Sequence, residues 1–223
     1  MDHPIPKSYL GLVIILGSVW GLAEAGLGMG LRSCAAFISG SIMTGVALFF
    51  MAAGWAASRR IRAVLIMVFI ASIFKMFDAL LLSLPIKHGA IGNPIFAFFM
   101  EAIAFVLLVS IVKDKIAQKP AGQVLLGGMT AALAVNLFPL VKYATGVPAC
   151  FVPGTGYPLS LYYIHVAVLI SCVTVPLGFL AGAKMESFMD RLVNSPAQKK
   201  FEYILSPAAF ILSLVIVALL RLT

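Results

Sequence analysis

Five ionisable side chains lie inside apolar stretches of the sequence that are long enough to cross a lipid bilayer. They are Glu24, Lys75, Asp78, Glu101 and Lys142. A charged group at the centre of a membrane costs at least about 2.5 kcal/mol, so such groups normally face a helix interface or a watery cavity. Carboxylates in that setting bind amines, hydroxyls or protons, whereas lysines bind carboxylate or phosphate groups. The sequence therefore predicts a buried polar site for a small ligand or for a proton relay.

Two neutral polar residues in similar surroundings, Asn136 and His165, join this predicted site. Each has a simpler interpretation, because an interior asparagine or histidine often only satisfies a neighbouring helix. Lys142 has one as well, since its long side chain can extend to the membrane surface. Buried acid–base pairs can also hold helices together without binding any ligand, and the sequence leaves that structural alternative open for the whole cluster.

The elements that must carry these residues are membrane-spanning helices. Hydrophobic residues make up 62% of the 223 residues and charged residues only 11%, with a mean hydropathy of +1.08. Such a composition predicts an all-α integral membrane protein that forms a single helical domain over residues 1–223. The seven apolar segments are Leu10–Leu31, Cys34–Ala57, Ala63–Leu84, Pro94–Val112, Val124–Val147, Leu159–Ala183 and Ile204–Leu222.

The last segment and the connection before it allow more than one interpretation. The segment either spans the membrane or lies in the interface, which gives a bundle of seven or six spanning helices. In the preceding connection, Met185, Phe188, Met189 and Leu192 recur with helical spacing. That spacing predicts a short amphipathic helix on the membrane surface, and a solvated loop is the alternative.

Positive charge is distributed unevenly between the connections. Eleven of the 16 Lys and Arg residues fall in the N-terminus and in the connections after the second, fourth and sixth segments, and three fall on the opposite side. Because cytoplasmic loops carry the excess of Lys and Arg, the N-terminus is predicted to be cytoplasmic. A rise of ~1.5 Å per residue then places the polar residues of five segments at one depth, in the outer half of the membrane. We expect a multi-pass protein of a cell membrane, and specifically of a bacterial inner membrane.

Small residues surround the first carboxylate. In the stretch GSVWGLAEAGLGMG, the residues Gly17, Gly21, Glu24 and Gly28 fall on one face of a helix. Helices approach each other closely where small residues face the neighbour, so Gly17, Gly21, Ala25 and Gly28 are predicted helix-packing positions. Glu24 should then point into protein and away from lipid.

Two cysteines are predicted to lie on the outer side of the membrane, Cys34 at the start of the second segment and Cys150 before the sixth. In an oxidising compartment they can form a disulfide, and two free thiols are the alternative. The connections LPIKHGAIGNP and VPACFVPGTGYP are rich in proline and glycine. Such sequences are typical of structured caps that gate a pocket, or of simple turns.

Several kinds of chemistry find no support in the sequence. Its three histidines, one of them in the N-terminal tail, do not suggest a metal centre, and CxxC, GxSxG, HExxH and Walker motifs are absent. No metal or other cofactor is therefore expected, and an enzyme is the least favoured class because no nucleophile and base can be named. The net charge of +8 follows from the basic connections, so no nucleic-acid partner is expected.

In its size, hydrophobicity, lack of a soluble domain and outward-facing polar site, the chain resembles the substrate-binding membrane subunits, or S components, of energy-coupling-factor transporters. The row of Gly17, Gly21 and Ala25 is similar to the small residues with which those subunits pack against their coupling subunit. The resemblance implies a vitamin or similar metabolite held by the three intramembrane acids. It also implies that a separate ATPase module supplies the energy. Six helices are usual in those subunits.

The sequence thus favours an integral membrane protein that binds a small polar solute and helps to translocate it through a pocket in the outer half of the bundle. Its expected partners are the lipid bilayer, the solute and membrane partner subunits. The alternative is a membrane-anchor or proton-conducting subunit of a larger redox or assembly complex. In that case the glycine face contacts a partner helix and the acids serve a proton path.

Overall fold

The computed structural model of the chain describes residues 7–34, 38–112, 119–192, 195 and 197–222, with side chains in the first helix described for residues 9–29. Most of this length is α-helical. The helices are α1 (Lys7–Cys34), α2 (Ser39–Ser58), α3 (Ile61–Leu81), α4 (Gly89–Ile111), α5 (Pro120–Leu137), α6 (Val141–Thr145), α7 (Leu159–Tyr162), α8 (Ile164–Leu192), α9 (Ala197–Lys200) and α10 (Ser206–Leu222). A 3₁₀ turn, Phe138–Leu140, joins α5 to α6, and a π-helical turn, Phe201–Leu205, joins α9 to α10.

Within the described residues, seven helices or joined helix pairs are long and apolar enough to span a bilayer. Each corresponds to one apolar segment of the sequence, so the predicted all-α membrane fold is confirmed. The last of them, Ala197–Leu222, reaches full spanning length, which favours seven spans over six. The chain is an integral, multi-pass membrane protein. The cytoplasmic position of its N-terminus remains a prediction from the charges of the connections.

Two of the helices that extend beyond the predicted boundaries are α4 and α8. α4 begins earlier, at Gly89, because the His88 side chain caps it by accepting a hydrogen bond from the Ala90 N–H at 3.2 Å. α8 runs without a break to Leu192, so the predicted surface helix is instead the last turns of a spanning helix. Those turns stay attached to the bundle because Met189 is fully buried in the core.

Glycines set the closest helix contacts of the bundle. Gly178 and Gly182 of α8 face the backbone of α2, where an added Cβ would collide with the carbonyl oxygens of Phe49 and Ala53. Gly127 of α5 lies in the same way against the backbone of α8. Because small residues let membrane helices approach until their backbones touch, these positions hold α2, α5 and α8 together.

The apolar core lies between α1, α2, α3 and α4, with contributions from α5 and α8. Its largest fully buried side chains include Trp20, Met51, Met67 and Phe105. α10 packs on the outside of this group, against α1 and α3, and is the least buried of the seven spans. Val217 joins α10 to a small apolar cluster on α1 and α3. The attachment of this outer helix therefore depends on few apolar side chains.

Candidate functional site

A cavity of about 630 Å³ lies between α1, α2, α3, α4 and α5, at the end of the bundle that is predicted to face outward. The connection from α6 to α7 contributes to its wall. A volume in this range is typical of sites for small molecules. Most of the lining is apolar, and the charged residues among the described lining are Glu24, Lys75 and Glu101. The predicted convergence of buried acids and a lysine from separate helices is thus visible in the structure.

Glu24 lines the cavity from α1 and is only 2% exposed. The Trp20 indole, one turn earlier on the same helix, donates a hydrogen bond to Glu24 Oε1 at 3.4 Å. Trp20 is fully buried, and its ring stands edge to face with Phe98 at a centroid distance of 5.2 Å. Lys75 of α3 interacts electrostatically with the Glu24 carboxylate and lies beside Gly28. Glu24 therefore has both a hydrogen-bond donor and a cation nearby.

Glu101 lines the cavity from α4 and is 4% exposed. Thr44 of α2 is hydrogen-bonded to its carboxylate, but Glu101 Oε2 has no hydrogen-bond partner among the described residues. The same is true of two other buried atoms of cavity-lining residues, Asn93 Oδ1 and Ser160 Oγ. Since buried polar atoms are nearly always hydrogen-bonded, these three atoms mark a place where a bound molecule or water supplies the missing bonds.

Asp78, which the sequence places in the ligand site, is instead bound by a basic residue of the outermost helix. Arg221 of α10 donates from Nε to Asp78 Oδ1 at 2.9 Å and from Nη2 to Oδ2 at 2.8 Å. Lys75, three residues earlier on α3, lies 3.5 Å from Oδ2. Asp78 is 1% exposed and is not among the residues that line the cavity. Asp78 therefore fits the structural alternative, in which an ion pair holds helices together.

Arg221 is the member of the cluster that sequence reasoning missed, since at the end of the last apolar segment it counts as a charge of the outer surface. Its predicted depth, close to that of Asp78, is the signal that could have paired them. With Arg221, the described cluster contains three acids, Glu24, Asp78 and Glu101, and two bases. The sequence alone predicts a near balance of these three acids against Lys75, Lys142 and, as an alternative, Arg32; Lys142 is exposed, and the side chain of Arg32 lies outside the described residues.

Three predicted site residues lie away from the cavity. Lys142 is exposed, with Nζ 4.8 Å from the centroid of the Tyr143 ring. Asn136 is exposed on α5 and donates a hydrogen bond to the Ala132 carbonyl at 2.7 Å. His165 is exposed at the start of α8. α5, α6 and α8 turn other faces towards the bundle interior, so no described contact supports a ligand-binding role for these three residues.

The small residues of α1 pack inside this chain. Gly17 faces Ile70 and Gly21 faces Phe74, both on α3. Ala25 is buried in the same apolar cluster. The predicted close helix contact of these three residues corresponds to the α1–α3 interface. Gly28, predicted to pack in the same way, instead lines the cavity, where an added Cβ would meet only Lys75 Nζ, at 3.9 Å, among the described residues. Because α3 covers the row of Gly17, Gly21 and Ala25, that row is not free to contact the partner subunit that the sequence-based hypotheses place there.

Cys150 lines the cavity and is exposed. The side chain of Cys34 lies outside the described residues, so the Cys34–Cys150 disulfide stays a prediction. The connection that contains Cys150 includes Gly146 and Gly154, whose φ angles of 77° and 76° favour glycine. Left-handed glycines of this kind are typical of defined turns, so this connection forms a structured part of the cavity wall.

The chain matches no protein-family model, no curated protein and no solved structure. The resemblance to energy-coupling-factor S components therefore stays a prediction. Among the described residues, no group of three His, Cys, Asp or Glu side chains lies close enough together to hold a metal ion. The arrangement as it stands can bind a small molecule through two carboxylates and a lysine at the inner part of a largely apolar cavity.

Proposed function

We propose that this integral membrane protein binds a small polar solute in the cavity and helps to carry it across the membrane. The observation that carries the proposal is the state of Glu101, a buried carboxylate on the cavity wall with no partner for Oε2 in the described chain. Burying a charge without a partner is costly in a membrane, so charged residues there are usually functional. A solute that binds to Glu101 supplies the missing partner.

Asp78 and Glu101 differ in their partners and in their position relative to the cavity, and this difference distinguishes an acid that holds helices together from one that binds a ligand. Asp78 receives two hydrogen bonds from Arg221 and a contact from Lys75, and it lies off the cavity. Glu101 is hydrogen-bonded to a neutral hydroxyl, that of Thr44, and lines the cavity. An ion pair that only held helices together would join Glu101 to a basic side chain. The helix-holding interpretation therefore suits Asp78 better than Glu101.

A proton-conducting subunit of a larger complex is the second interpretation of the same carboxylate, because a proton can also neutralise it. A proton path needs water and titratable groups, whereas solute binding needs free volume. The cavity of about 630 Å³ with its apolar wall favours the solute. By its resemblance to the S components, the protein would obtain energy from a separate ATPase module.

Ala97→Phe tests this proposal by filling the cavity. Ala97 lies one helical turn before Glu101 and lines the cavity, so a phenyl ring there removes volume without changing charge. Native mass spectrometry of the gently solubilised wild-type protein should detect a bound small molecule, and Ala97→Phe should lose it. Ile103→Phe, on the exposed face of the same helix, is the matched control and should retain the molecule.

Two results would contradict the proposal. One is equal retention of the small molecule by Ala97→Phe and by the control. The other is a wild-type protein that carries a stoichiometric redox subunit and no small molecule, which would support the membrane-anchor or proton-conducting alternative. Coupling-ATPase subunits in the same spectra would instead agree with solute transport.

A further inference from the structure

We propose that the solute is an amine whose ammonium group binds to Glu101 and whose apolar body lies along the cavity wall formed by Ala97, Phe98 and Val135. The inference rests on the proposed function and narrows it to one chemical class. It starts from the hydrogen-bonding atoms that line the cavity without partners. Those atoms show which groups a ligand must bring.

The unpartnered atoms are mainly hydrogen-bond acceptors. Glu101 Oε2 is a carboxylate oxygen and Asn93 Oδ1 an amide oxygen, and Ser160 Oγ can accept as well as donate. A ligand that satisfies them must therefore carry hydrogen-bond donors. An ammonium group carries up to three donors and a positive charge, so it forms strong, charge-assisted hydrogen bonds with a carboxylate.

The basic residue of the cavity is already engaged. Lys75 lies 3.5 Å from Asp78 Oδ2 and also interacts with the Glu24 carboxylate. Within the described part of the chain, the other lining residues include neither Arg nor Lys. Among the described lining residues, an anionic ligand would find one cation, Lys75, which is shared between two acids, and the ligand would lie near Glu101 besides. Charge therefore selects against carboxylate and phosphate ligands and in favour of an ammonium group.

The positions of the acceptors along α4 give the ligand a direction. Asn93 lies near the start of the helix and Glu101 eight residues further into the bundle, a separation of about 12 Å at the rise of an α-helix. One ammonium group cannot reach both. The ammonium therefore binds at Glu101, the apolar body passes Ala97 and Phe98, and any second polar group of the solute lies near Asn93.

The test measures the reactivity of a single cysteine beside Glu101. In a protein whose native cysteines are replaced by serine, Ala97→Cys places a thiol one turn from the carboxylate. The probes are 2-aminoethyl methanethiosulfonate, which carries an ammonium group, and 2-sulfonatoethyl methanethiosulfonate, which carries a negative charge. At a separation of about 6 Å in a watery cavity, one negative charge should raise the cation-to-anion rate ratio roughly tenfold over that of a free thiol.

Glu101→Gln should return this ratio to the value for a free thiol, because it removes the charge and keeps the shape. Asp190→Asn is the matched control. It makes the same chemical change at an acid that is hydrogen-bonded to Tyr9, outside the cavity-lining residues, and it should leave the ratio raised. The inference therefore predicts that Glu101→Gln loses the raised rate ratio and that Asp190→Asn keeps it.

Three other results would overturn the inference, and they are distinguishable. A raised ratio that survives Glu101→Gln assigns the selectivity to another residue. If the Ala97→Cys protein with Glu101 intact gives the same cation-to-anion rate ratio as a free thiol, Glu101 is protonated, which supports the proton-path alternative. If neither probe reacts, the cavity is closed to solutes and the proposed function fails as well.

A second measurement needs no change at Glu101, in case that variant does not fold. 2-Phenylethylamine, 2-phenylethanol and phenylacetate share an aromatic body and differ in the polar group. Each is tested for protection of the Ala97→Cys thiol against neutral methyl methanethiosulfonate. The amine should slow the reaction at concentrations at least tenfold lower than the other two. Equal protection by the alcohol or the acid contradicts an ammonium site.

Discussion

Replacing Arg221 by methionine removes the charged partner of Asp78 while keeping a long, flexible side chain at the end of α10. Both side chains of the pair are enclosed, with 6% of Arg221 and 1% of Asp78 exposed. Breaking a buried ion pair by removing one partner costs about 3–5 kcal/mol, because the other charge is left buried. Lys75 remains 3.5 Å from Asp78 and compensates in part, so we expect a loss at or below the lower end of that range, about 2–3 kcal/mol.

Thermal unfolding in detergent, followed by intrinsic fluorescence, measures this loss. For a chain of this size, 2–3 kcal/mol corresponds to a decrease in Tm of about 5–10 °C. Lys142→Met is the matched control because it makes the same change at an exposed lysine. Its effect should stay within about 0.5 kcal/mol.

A double-mutant cycle with Asp78→Asn separates the ion pair from other effects of the arginine. Asp78→Asn alone leaves Arg221 and Lys75 without their shared acid, so it should also be strongly destabilising. The double variant should be less destabilised than the sum of the two, by at least about 1 kcal/mol. Additive effects, or an Arg221→Met protein as stable as the Lys142→Met control, would refute the conclusion that this pair attaches α10 to the bundle.

Two further predictions concern helix packing and the orientation of the cavity. Gly178→Ala should destabilise the protein by about 1–3 kcal/mol, since its Cβ would collide with the Phe49 carbonyl oxygen. Gly26→Ala, with open space around it, should be neutral or stabilising by up to ~1 kcal/mol in the same unfolding assay. A membrane-impermeant maleimide should label Cys150 from the outer face of right-side-out vesicles and not in inverted ones. Labelling that requires a reductant would support the disulfide with Cys34, and labelling only in inverted vesicles would refute the predicted orientation.

The sequence predicts the number of spanning helices and the depth of their polar residues because both depend only on distance along the chain. Apolar length identifies a span, and the helical rise converts a residue number into a depth. Glu24, Lys75, Asp78 and Glu101 can therefore be assigned to one level of the membrane from the sequence alone. Their burial in the bundle follows from the cost of exposing charge to lipid, which also depends only on the residue type.

The rotation of each helix about its own axis could not be predicted in the same way. In a membrane, both the lipid-facing side and the core-facing side of a helix are apolar, so no amphipathic pattern reports which side points inward. Asn136, Lys142 and His165 are exposed, because packing turned their helices the other way. The pairing of Asp78 with Arg221, 143 residues later in the chain, depends on the position of α10 beside α3, which no local pattern specifies.

The position of α10 also determines how much negative charge the cavity presents. Asp78 lies between two bases and accepts two short hydrogen bonds from Arg221. Lys75 is therefore available to Glu24 on the cavity wall, rather than being neutralised by Asp78 alone. Among the described residues, Arg221 with Asp78 and Lys75 with Glu24 then account for two acids and two bases, and Glu101 is the acid that remains. α10 does not line the cavity, but its Arg221 pairs with Asp78, so Lys75 is left to Glu24 and Glu101 has no basic partner among the described residues. The structural ion pair and the proposed ammonium site therefore belong to one arrangement of charges.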